Sequence, residues 1–74
     1  MQRYDIEVLR AGAVVAARRG IEFEDTRAAW PQIAALAKRF DHPGCKIRVK
    51  DEAGRIVILT GVAAVRRHAA AFAT

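Results

Sequence analysis

A chain of 74 residues has room for one hydrophobic core and excludes a second domain. A hydrophobic share of 53% excludes a disordered tail, a single cysteine excludes an internal disulfide, and no apolar run approaches the ~20 residues that cross a bilayer. The net charge of +5 is uneven: residues 1–25 hold four basic and five acidic side chains, whereas residues 26–74 hold nine basic and three acidic.

Tyr4, Ile6 and Val8 alternate with Arg3, Asp5 and Glu7, the period of a strand with one buried and one wet face. Arg10-Ala11-Gly12 reads as a short hairpin loop, and a second strand follows from Ala13 to about Arg18. Gly20 is placed to break or bulge that strand before Ile21 and Phe23 resume the alternation. Asp25 or Thr26 can cap a helix, and Trp30, Ile33, Ala37 and Phe40 then fall on one helical stripe. Pro31 lies past the first turn counted from a Thr26 cap, which predicts a loose turn over 26–30 and a firm helix from 31 to 40.

Asp41-His42-Pro43-Gly44 supplies the proline and glycine that stop a helix. Cys45, Ile47 and Val49 alternate with Lys46, Arg48 and Lys50 in a third strand, and Glu52-Ala53-Gly54 fits a three-residue hairpin loop. With Asp51 facing Arg55, uninterrupted pairing puts Val49 against Val57 and Ile47 against Leu59. The fourth strand, Arg55 to Thr60, does not alternate, which is the mark of a strand covered on both sides, by the helix at 31–40 on one and by either the C-terminal segment folding back or a second copy of the chain on the other. Val62, Val65, Ala69 and Phe72 share a stripe on a short C-terminal helix over about 61–73, with Thr60 as its cap. The expected fold is α+β: two β-hairpins forming a four-stranded, mostly antiparallel sheet, one helix (about 26–40) packed on it, and the short terminal helix.

Much of the apolar share is alanine, so the area-bearing core falls to Tyr4, Ile6, Val8, Val14, Ile21, Phe23, Trp30, Ile33, Leu36, Phe40, Ile47, Val49, the Ile56–Leu59 run and Phe72. That core is thin for a chain standing alone, and a homodimer sharing apolar surface closes the deficit. Ile56, Val57, Ile58, Leu59 and Phe72 are the residues expected at such an interface.

The side chains that carry chemistry are few. His42 and Cys45 stand three residues apart, but a structural zinc site needs four ligands and the chain has one Cys and two His. The Pro-Gly bend between them and the apolar parity of Cys45 make the pair a turn and a core position rather than a thiol site. Dispersed glycines form no phosphate loop, and the carboxylates form no acid/base pair, so neither a catalytic residue nor a metal or cofactor is expected. Lys46, Arg48 and Lys50 share one face of a strand. With Arg55, Arg66 and Arg67 they are the candidates for binding a nucleic-acid backbone, although no aromatic side chain offers base stacking there. The competing expectation pairs these cations with carboxylates such as Asp5 and Glu7 on a neighbour. No basic segment followed by an apolar core opens the chain, so the expected setting is the cytoplasm, away from membranes.

Arg3-Tyr4, Gly20-Ile21-Glu22, Ala28-Ala29-Trp30-Pro31, Ile47-Arg48-Val49 and Asp51-Glu52-Ala53-Gly54-Arg55 together resemble small proteobacterial proteins of unknown function with a β-β-α-β-β plan. The resemblance spans about residues 3–61 and implies the fold without any activity. The tryptophan-proline pair and the alanine-rich tail depart from that pattern.

Overall fold

The computed structural model describes the backbone of residues 1–72 and the side chains of residues 1–67. In chain order it has β1 (Gln2–Arg10), β2 (Ala13–Phe23), a single 3-10 turn (Thr26–Ala29), α1 (Trp30–Arg39), β3 (Lys46–Lys50), β4 (Ile56–Gly61) and α2 (Val62–Phe72). The four strands form one antiparallel sheet in the order β2-β1-β3-β4, an α+β architecture.

Local chemistry fixes each connection. Arg10 pairs with Ala13, so the first hairpin turns on Ala11 and Gly12 alone, both with positive φ (52° and 80°). That combination matches the right-handed twist of the flanking strands. Gly20 does form a bulge: Arg19 and Gly20 together stand opposite Asp5, and the Gly20 amide donates to Asp5 Oδ1 at 2.9 Å. Asp25 is the cap, accepting from the amides of Arg27 and Ala28, and Pro31 sits in the first turn of α1, where its missing N–H costs nothing. In the second hairpin, Asp51 Oδ1 accepts from the amides of Ala53 and Arg55, and Gly54 (φ 81°) closes the three-residue loop.

The register of the second hairpin departs from uninterrupted pairing. Lys50 pairs with Ile56, but Val49 pairs with Ile58, Arg48 with Leu59 and Ile47 with Thr60. Val57 is therefore an extra residue, a bulge that shifts everything after it by one position. The shift puts Ile58 on the core side beside Val49 and puts Leu59 on the opposite face beside Arg48.

Helices cover only one face of the sheet. Ile6, Val8, Ile47 and Val49 from the strands meet Ile33, Leu36 and Ala37 of α1 and Val62 and Val65 of α2, all fully or almost fully buried. The described part of α2 thus joins α1 in the same layer. Its first amide, Val62 N–H, donates to Cys45 O at 3.0 Å, continuing the strand pairing into the helix, while the Thr60 hydroxyl donates to Gly61 O instead of capping. The other face of the sheet carries no layer from the described residues.

Several expected core residues consequently lie at the surface. Val14, Ile56, Val57 and Leu59, and beside them Val15, are exposed because they belong to the uncovered side or to bulges at its edges. Trp30, expected in the core, is 40% exposed, since it opens α1 at the rim of a shallow crevice with Thr60, Ala64 and Val65. The Phe72 side chain lies outside the described residues. No helix among the described residues is long and apolar enough to cross a membrane.

Candidate interaction face

The open face of the sheet is built by the strand residues of the second parity. Read across the strands, one row runs Val14, Leu9, Lys46, Gly61, the next Ala17, Glu7, Arg48, Leu59, and the next Arg19, Asp5, Lys50, Ile56. β1 therefore presents a column of carboxylates beside a column of cations on β3.

Glu7 sits at the centre. It is only 3% exposed although no layer covers it, because its neighbours close over it. Arg48 Nε donates to Glu7 Oε1 at 2.9 Å, Lys50 Nζ lies 3.4 Å from the same oxygen, and Arg19 donates to Oε2 at 3.3 Å. Arg19 also reaches Asp5 at 3.5 Å. Burial by itself would raise the Glu7 pKa, but the hydrogen bonds and charges of Arg48 and then Lys50 outweigh it and hold the carboxyl below its ordinary value. Around this centre stand Leu59 and Ile56, 59% and 52% exposed, with Val57 on the β4 side and Val14 and Val15 on the β2 side.

The candidate nucleic-acid residues are not brought together as a free basic surface. Arg48 and Lys50 are engaged by Glu7, Arg55 pairs with Asp51 at 3.7 Å, and Arg66 pairs with Asp41. Among the described residues, Lys46 and Arg67 have no ion-pair partner. Of the expected interface residues, Ile56, Val57 and Leu59 lie at the surface, whereas Ile58 packs against the core.

At the 41–45 bend, His42 O accepts from Cys45 N–H at 3.2 Å, Gly44 has a positive φ, His42 is exposed and Cys45 is buried. Among the described residues, no three His, Cys, Asp or Glu side chains converge as metal ligands. The contributions of Leu9, Val14, Val15 and Ala17 to the open face were missed from sequence. For the β2 residues the one signal is that Ala13–Ala17 does not alternate, as β4 does not; for Leu9 it is the parity it shares with Asp5 and Glu7.

No protein-family model, curated protein or solved structure matches this chain significantly.

Proposed function

We propose that this chain is a small non-enzymatic interaction module of the cytoplasm that works as a homodimer, with a second copy covering the open face of the sheet. The observation that carries this reading is the uncovered face itself: exposed Leu59, Ile56, Val57, Val14 and Val15 surround a Glu7 that is already withdrawn from water. Exposed apolar side chains clustered on one face mark an interaction surface, whereas the same side chains scattered singly would need no explanation. The molecule is a slab measuring 31 × 30 × 16 Å, so its broad side is large enough for the roughly 800 Å² per partner of a standard interface. Ion pairing of Arg48 and Lys50 with Glu7, of Arg55 with Asp51 and of Arg66 with Asp41 favours this reading over nucleic-acid binding.

Sedimentation at tens of micromolar tests it. The reading expects twice the 8.1 kDa chain mass, and a monomer there would remove its support. Incubation with a mixed-sequence oligonucleotide at low salt is the companion measurement. Retention that falls steeply with salt would transfer the argument to Lys46, Arg67 and their neighbours.

A further inference from the structure

Resting on the homodimer reading, we infer that the two sheets stack face to face about a twofold axis parallel to the strands and midway between β1 and β3, so that each chain's acidic β1 column lies under its partner's basic β3 column. The register decides this. Two stacked sheets keep their strands within about 30° of each other, and a twofold axis lying between them can run either along or across the strands. An axis across the strands, through the central row, sets Glu7 over the partner's Glu7 and Arg48 over the partner's Arg48. Acidic columns then overlie acidic columns and basic columns basic ones, within a surface being desolvated, and such juxtaposition is strongly unfavourable.

An axis along the strands reverses the order of the columns and leaves the rows in place. The Glu7 position, covered by its own cations, then lies under the partner's basic β3 column, the partly exposed Asp5 faces the partner's Lys50, and the reciprocal placements follow by symmetry. Shape agrees with charge. Leu59, the most exposed large side chain of β4, falls over the small Ala17 of the other copy and Val14 over Gly61, while Ile56 lies along the aliphatic stem of the partner's Arg19. Charge order selects the axis, and the Leu59–Ala17 and Val14–Gly61 juxtapositions fit it.

Site-directed thiol cross-linking with the shortest bismaleimide reads the geometry. The variants are Ala17→Cys and Leu59→Cys, both at exposed positions, with wild type as the control for the buried Cys45. β2 and β4 lie three strand spacings apart, about 14 Å, so in the proposed stacking Leu59 is close to the partner's Ala17 and far from the partner's Leu59. Refolded together, the two variants should give cross-linked product approaching the half that random pairing allows, while each variant alone gives only background. Efficient cross-linking of Leu59→Cys with itself would overturn the axis while leaving the homodimer. A dimer of correct mass with no product in any combination would overturn the stacking. A monomeric wild type would remove both the stacking and the reading beneath it.

Discussion

Glu7 is the residue on which the open face turns. Its carboxylate receives Arg48, Lys50 and Arg19 from the strands on either side, and the hydrogen bonds and charges of Arg48 and Lys50 hold its pKa below the ordinary value despite its burial. Replacing it with Gln leaves three cations crowded around a neutral amide and should destabilise the fold by about 1–3 kcal/mol in denaturant titrations. The pH dependence has a definite sign. The folded-state pKa lies below the ordinary value of 4.5, so the stabilisation is fully present above about pH 4.5 and is lost as pH falls through the folded value. Denaturation midpoints measured from pH 6 down to pH 3 should decline in wild type and decline less in Glu7→Gln. Parallel curves would show that other carboxylates govern acid sensitivity. Arg48, read from sequence as a candidate for an anionic partner, meets a carboxylate one strand away. The pairing was legible as an alternative because Asp5 and Glu7 share the wet parity of β1, but which strand lay beside β3 depended on a sheet order the sequence does not state.

At the level of elements, the strands and helices follow from pattern and punctuation, and the departures come from bulges. Ala11 holds φ 52° in a turn that favours Asn or Gly at that position. Ala11→Gly should therefore stabilise the first hairpin, or at worst be neutral, with a gain of up to about 1 kcal/mol set against the added freedom of the unfolded chain. Gly20→Ala is the converse case: φ is 67° in the bulge opposite Asp5, so the Cβ brings backbone strain of about 1–2 kcal/mol even though open space surrounds it. Equal thermal midpoints for wild type and Gly20→Ala would contradict the bulge geometry. The bulge at Gly20 could be read from the glycine itself. The bulge at Val57 could not, since Ile-Val-Ile-Leu carries no glycine or charge to mark the extra residue. That one position separates the expected Ile47–Leu59 pair from the observed Arg48–Leu59 pair, and it moved Leu59 from core to surface. β4 is apolar on both sides, as its composition says. On one side it meets α2 and the core, and on the other it meets nothing within the described chain.

For the molecule as a whole, the architecture is two layers with one outer face finished by helices and the other left as sheet. Ile33→Ala, under the covered face, should cost about 2–5 kcal/mol, the usual range for emptying a fully buried aliphatic site. Leu59→Arg, on the open face, should leave a folded chain with unchanged far-UV circular dichroism and abolish association. An exposed position tolerates the arginine in the monomer, whereas the stacked sheets do not. The contrast between these two substitutions separates folding from assembly. The most direct measurement is sedimentation velocity on wild type and Leu59→Arg over a concentration series reaching tens of micromolar. A wild-type species at twice the 8.1 kDa chain mass, with Leu59→Arg at the single chain mass, is the expected outcome. Wild type sedimenting as a monomer throughout, or Leu59→Arg associating as strongly as wild type, would contradict the claim that a second copy completes this face.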